Sequence, residues 1–384
     1  MFFEMDDYSV YYELFLRLDY DQLVKFNALV QPNEDMKQII YQIVTDNIFW
    51  YQKLSMEIKT FNDSSVHWAR AYKFFRSRVD PGELLSDASR DGWLAEVKLL
   101  LLNGANPGDQ DNEAIGLASA RGHLAVVNLL LNDARVDPSD QDNAAVGLAS
   151  RNGHLEIVNR LLKDQRVDPS ADDNYAIIQA SKNGHFEIVN RLLQDPRVDP
   201  STKNNVVFKW ASKYGHLEIV NQLLEDDRVD PSDNDNKAIR EASKRGYSAV
   251  VNRLLEDQRV NPGEAYNYAI VQASKNGHLE VVDRLLEDPR VNPGDNNNKA
   301  IIEASRNGHL AVVNRLLEDP RVDPTANGND AILWAQFNQH FDVVQRLKMS
   351  ECYISSERYI ILLMIYFFVS VIAWVIRKSI KHFP

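Results

Sequence analysis

The chain has 384 residues, with 43 Lys and Arg against 55 Asp and Glu and a formal charge of -12. A whole-molecule field of that sign repels nucleic acid phosphates and excludes nucleic acid as a first partner. The single cysteine, Cys352, leaves no intramolecular disulfide, and the N-terminus lacks the basic, apolar and small-residue order of a secretory signal, so the bulk of the chain is expected in the cytoplasm.

Residues 1–80 are rich in Tyr, Phe and Leu and carry no repeat, which predicts a small packed helical domain. Leu14-Phe-Leu-Arg-Leu-Asp-Tyr-Asp-Gln-Leu-Val-Lys-Phe26, then Ile43-Val-Thr-Asp-Asn-Ile-Phe-Trp-Tyr-Gln-Lys-Leu54, then His67-Trp-Ala-Arg-Ala-Tyr72 resembles an F-box followed by its linker helix, over about Tyr8 to Phe75. The early proline usual in that family is missing, and Gln31-Pro-Asn-Glu34 interrupts the middle. The resemblance implies that Leu14, Leu16, Leu18 and Leu23 pack against a Skp1-like adaptor, a helix-in-groove mode of recognition. A helical cap that seals the first unit of the following array is the other reading of the same residues.

From residue 81 the chain repeats. Gly122, Gly153, Gly184, Gly215, Gly246, Gly277 and Gly308 stand 31 residues apart. Gly92 stands 30 residues before the first, and Gln339 takes the glycine's place 31 residues after the last, so about nine units are expected over 81–349. The end units are the degenerate ones, as capping repeats should be. In the unit Asp173 to Ser201, one short helix is predicted from an Asn174 cap to about Asn183, with Ala176, Ile177 and Ala180 on its apolar face. A second, from about Phe186 to Gln194, buries Ile188, Val189, Leu192 and Leu193, with Gly184 as the break between the two. Asp195-Pro-Arg-Val-Asp-Pro200 stops further helix, because each proline lacks an amide donor and disfavours helix in the residue before it. One such unit is too small to bury a core alone, which is why these units come in stacks.

The run Ala-Ser-x-x-Gly-His-Leu-Glu-Val-Val-x-x-Leu-Leu, as at Ala273 to Leu286, closely resembles the ankyrin repeat, and Leu101-Leu-Asn-Gly-Ala-Asn-Pro107 matches that family's unit ending. The resemblance covers about Glu83 to Leu347. Tyr175-Ala-Ile-Ile178 replaces the family's Thr-Pro-Leu-His opening, and the period is 31 where ankyrin units usually have 33 residues. The fold class expected is therefore all-α: an ankyrin-repeat solenoid with a small helical N-terminal domain and a C-terminal apolar helix. Its projecting fingers should be stubby, which leaves binding to the first helices and the concave face.

Three columns of the repeat ask for a role. His123, His154, His185, His216, His278, His309 and His340 do not converge on one ion, because stacked units hold equivalent atoms roughly 8–10 Å apart. They read as turn histidines bonded to backbone, and Asn112, Asn143, Asn174, Asn205, Asn236, Asn267, Asn298 and Asn329 read as helix caps. Arg151, Lys182, Lys213, Lys244, Lys275 and Arg306 form a basic stripe on an acidic chain. In the ankyrin family this position faces the concave surface, so the resemblance implies that the stripe meets an acidic partner segment. The alternative is that each cation pairs with a neighbouring Asp or Glu. Departures from the consensus place Tyr175, Lys209, Trp210, Tyr214, Arg240, Tyr268 and Trp334 on or beside the first helices. Aromatics and Arg anchor interfaces, although Trp210 and Trp334 would equally serve as fillers between units. With Lys182, Lys213, Lys244 and Lys275 they form the candidate partner-binding set.

Tyr359 to Ile376 is an 18-residue run without a charge, followed by Arg377-Lys378 and Lys381. At ~1.5 Å per residue it is just long enough for a bilayer core, and Tyr359 and Trp374 stand where interfacial aromatics are expected. The predicted role is a tail anchor on an intracellular membrane; a terminal helix docked on the last repeat is the alternative. No phosphate loop, metal-ligand cluster or nucleophile motif appears, so neither enzymatic activity nor a cofactor is expected. Proteins that combine F-box and ankyrin segments resemble those encoded in large families by giant DNA viruses, where recruitment of substrates to a cullin-type ubiquitin ligase is the usual inference. A membrane-tethered scaffold without a ligase link is the runner-up.

Overall fold

Each 31-residue period becomes two antiparallel helices and a turn, because apolar residues recur at helical spacing on either side of an obligate left-handed residue. The computed structural model describes residues 81–102 and 104–350. The F-box-like segment with Leu14, Leu16, Leu18 and Leu23 lies outside the described residues, as does the apolar run 359–376. Among the described residues there are eighteen α-helices and no strand, and no helix is long and apolar enough to cross a membrane.

The described residues divide into two compact units, 81–149 with 156–167 and 150–155 with 168–350. The first holds α1 (Pro81–Arg90), α2 (Leu94–Leu102), α3 (Asp109–Arg121), α4 (Leu124–Leu130) and most of α5 (Asp140–Asn152) and α6 (Leu155–Leu161). There α1 packs on both α2 and α3, and α2 on α4. The second holds α7 (Ala171–Asn183), α8 (Phe186–Leu193), α9 (Thr202–Tyr214), α10 (Leu217–Leu224), α11 (Asp233–Arg245) and α12 (Ser248–Leu255). It continues with α13 (Glu264–Lys275), α14 (Leu279–Glu287), α15 (Asp295–Arg306), α16 (Leu310–Leu317), α17 (Ala326–Phe337) and α18 (Phe341–Lys348). The first helices of successive periods, α7, α9, α11, α13, α15 and α17, pack in a row, and α8 to α18 form a parallel row of second helices.

The core follows the sequence pattern. Ala176, Ile177 and Ala180 are buried on α7, and Ile188, Val189 and Leu192 on α8, whereas Leu193, expected inside, is only half covered. Gly184 takes φ +81°, and a Cβ there would stand 2.6 Å from Cε1 of His216, one unit on. The position is therefore glycine for two reasons: the left-handed turn and the ring laid against it.

The asparagine column departs from its expected role. Asp172, Asp173 and Asn174 have φ of 49°, 53° and 68°, so right-handed winding starts only at Tyr175, and Asn174, at the cap position, does not use its side chain to cap it. The left-handed turn points the side chain at the next unit, where Asn174 Oδ1 accepts from the Asp199 amide at 2.8 Å. Asn205, Asn236, Asn267 and Asn298 accept in the same way from Asp230, Asn261, Asn292 and Asp323 at 2.7–2.9 Å. A buried asparagine is thus a pin between units, and asparagine also tolerates the left-handed backbone that this pin requires.

From Asp133 to Arg321 the turns are closed by Asp-x-Arg clamps. The Arg259 amide and Nε donate to Asp257 Oδ1 at 2.9 and 3.0 Å, and Nη2 donates to Oδ2 at 2.7 Å. Nη1 of the same guanidinium donates to the Val229 carbonyl of the preceding unit at 3.2 Å. Arg228, Arg290 and Arg321 repeat the arrangement on Val198, Val260 and Val291. The connection onward to the next first helix is only a few residues long and carries no strand, in keeping with the expected stubby fingers.

Candidate cation and aromatic interface on the first helices

The stripe cations end the first helices, where a positive charge complements the helix dipole. All but the Lys213 backbone are held from the next unit. Nε2 of His185, His216, His278, His309 and His340 lies 2.9–3.1 Å from the carbonyls of Arg151, Lys182, Lys244, Lys275 and Arg306. A carbonyl only accepts, so each Nε2 carries the proton and donates. This places the histidines as backbone-bonded turn residues and their neighbours, the cations, at a regular pitch.

The side chains of the stripe are left unneutralised. Among the described residues, none of Arg151, Lys182, Lys213, Lys244, Lys275 and Arg306 has a carboxylate within 4.0 Å. The expectation that each cation pairs with a neighbouring Asp or Glu is corrected on this point. The turn-clamp carboxylates are engaged by their own arginines, as in Asp226 to Arg228 and Asp288 to Arg290.

Trp210 gathers part of the stripe. On α9 it stands four residues before Tyr214, and the two rings stack at 5.6 Å with an 18° interplanar angle. Lys213 Nζ sits 4.5 Å from the centre of the Trp210 ring, and Lys182 Nζ, from α7, sits 5.3 Å from it. Lys213 and Arg245 also stand 5.9 and 5.5 Å from the Tyr214 ring. Cations held over aromatic faces gain about 0.5–1 kcal/mol each at exposed sites. They are also held partly in place before any partner arrives.

The remaining candidates separate into smaller groups. Arg240 lies 4.6 Å over Tyr268, and Arg306 lies 4.4 Å over Trp334, which meets Phe337 edge-on at 5.7 Å. Lys244 and Lys275 are exposed, and Tyr175 is half-buried on α7 outside these ring contacts. Lys209 and Arg240 occupy the column that Ile178, Val271, Ile302 and Leu333 fill with buried aliphatics, so both are half-buried between first helices. Burial pushes the Lys209 ammonium below its ordinary value, Asp233 opposes that shift and Lys237 adds to it. Arg240 Nη1 donates to the Asp235 carbonyl at 3.3 Å. Lys209 and Arg240 are therefore part of the packing beside the interface more than of its open face.

Arg245 is the contributor that the sequence reading passed over. It and Tyr214 occupy one column, one residue beyond the stripe, where Asn183, Asn276, Asn307 and Asn338 stand elsewhere. Two departures in adjacent units of one column were the available signal. No group of three or more His, Cys, Asp or Glu suited to a metal occurs among the described residues.

A family model for Ankyrin repeats (3 copies) matches residues 85–173, 176–265 and 270–358. No curated protein matches the chain.

Proposed function

The chain belongs to the ankyrin repeat family, and on that premise we propose that it acts as a protein-binding scaffold whose partner lies on the first-helix face around Lys182, Trp210, Lys213 and Tyr214. The observation that carries this reading is the set of stripe cations left without carboxylate partners beside stacked, half-exposed rings. An acidic protein segment supplies the missing charge, and the aromatic faces supply contact area at low conformational cost.

A finer part of the proposal assigns residues 1–80 as an adaptor-binding domain, 81–349 as the recruiting array and 359–376 as a membrane tether on the cytoplasmic side. In this reading Leu14, Leu16, Leu18 and Leu23 meet a Skp1-like adaptor, and the array presents a captured protein to a cullin-type ubiquitin ligase. The leucine pattern of residues 14–23 supports it. A tethered scaffold without the ligase is favoured instead by the uncharged run 359–376 if the adaptor does not bind.

One comparative pull-down tests both levels. The full chain, Trp210→Ala with Lys213→Glu, and Leu18→Asp are used as baits, and the melting transition of each is recorded. The reading expects the double variant to lose the array's partners with little change in melting, and Leu18→Asp to lose a Skp1 and cullin pair alone. Unchanged capture by the double variant removes the proposed face. A large loss of stability assigns Trp210 to packing.

A further inference from the structure

The stripe has a pitch, and a pitch selects the conformation of what binds to it. Lys182, Lys213, Lys244, Lys275 and Arg306 come from one column of five first helices packed in a row. Packed helices stand roughly 8–10 Å apart. Lys182 and Lys213 share the Trp210 ring at 5.3 and 4.5 Å, two distances that together cap their separation at about 10 Å. Histidine bonds from the following unit hold the carbonyls of Lys182, Lys244, Lys275 and Arg306, so the spacing is fixed by backbone.

An extended β-strand returns side chains to one face every ~6.6–6.8 Å, out of step with that pitch. An α-helix presents a new turn every ~5.4 Å and would meet a cation only at alternate turns. A polyproline-II segment has three residues per turn and rises ~3.1 Å per residue, so every third side chain lies on one face at ~9.3 Å intervals. Trp210, Tyr214 and Trp334, half-exposed among the cations, are side chains of the type against which proline-rich segments dock.

We infer that the first-helix face binds an acidic segment in the polyproline-II conformation, with a carboxylate at every third residue aligned on successive cations from Lys182 to Arg306. This rests on the reading of that face as a protein-binding surface and adds the register and conformation of the partner. Five weak contacts, each in register, multiply into useful affinity because every one after the first is intramolecular.

The test is fluorescence anisotropy with the purified full chain at about 0.15 M salt, where charges beyond ~8 Å are screened. The probes are a peptide of Glu-Pro-Ser triplets, an isomer of identical composition with its glutamates two and four residues apart, a helical peptide with glutamates seven apart, and a single-stranded oligonucleotide. The triplet peptide is expected to bind about tenfold more tightly than its isomer. Lys244→Glu, at an exposed unpaired position, should weaken it, and a triplet peptide with its central Glu replaced by Lys should recover the loss. Equal affinity of the isomers overturns the register while leaving an acidic partner in place. Tighter binding of the helical peptide overturns the conformation, and tighter binding of the oligonucleotide overturns the partner class. If no acidic peptide binds while the Trp210→Ala, Lys213→Glu variant still loses captured proteins, the inference fails and the protein-binding face survives. If neither effect occurs, both fail.

Discussion

At the scale of single residues, the small buried serines show where packing has overridden hydrogen bonding. The hydroxyls of Ser212, Ser243, Ser274 and Ser305 are buried without a partner among the described residues, whereas Ser181 Oγ donates to the Val207 carbonyl at 2.7 Å. A buried unsatisfied hydroxyl is a cost that alanine removes without leaving a large void. Ser243→Ala is therefore expected to stabilise the chain by about 1 kcal/mol, and Ser181→Ala to destabilise it by a similar amount. Urea unfolding of the two variants side by side checks the sign at each site; destabilisation by Ser243→Ala would show that its hydroxyl is satisfied in solution. The same scale explains the misreading of the asparagine column. Asparagine is favoured at helix caps and tolerated in left-handed backbone, so residue type alone does not distinguish the two. Only the backbone geometry, with φ of 68° at Asn174, shows that its side chain reaches forward to Asp199.

At the scale of elements, the helices were legible because Ile188, Val189 and Leu192 repeat at helical spacing and Gly184 breaks the pattern. The clamp between Asp257 and Arg259 was not, because a charged pair two residues apart looks like ordinary loop composition until the turn folds it back. The Arg259 hydrogen bonds hold the Asp257 carboxyl below its ordinary value, against the opposing effect of burial, and Asp164, Asp195, Asp226, Asp288 and Asp319 are lowered in the same way by their own arginines. A depressed folded value adds stability that is complete above the unfolded value of about 3.9 and is lost as pH falls through the folded values. The urea midpoint should thus hold steady down to about pH 5 and fall steeply below about pH 4. Arg259→Gln should flatten part of that fall, and an unchanged acid limb in this variant would show that the clamp contributes nothing to it.

At the scale of the whole chain, the array carries two opposed electrostatic tasks. A net charge of -12 keeps like-charged macromolecules away, while one column of the repeat collects cations that have no carboxylate of their own. The stripe was visible in the sequence as a column, and the cluster at Trp210 was visible as departures from the consensus. The sharing of one indole by two lysines from neighbouring first helices was not visible, because it depends on how those helices pack. The central claim is that partners meet the first helices and not the second. It is tested most directly by placing a photo-crosslinking residue at Lys244 or Lys275 on the first helices, and at Glu218 or Glu280 on the second, all of them exposed. Irradiation in the presence of captured partners should give adducts from positions 244 and 275 and leave 218 and 280 without them; adducts from 218 and 280 alone would contradict the assignment of the binding face.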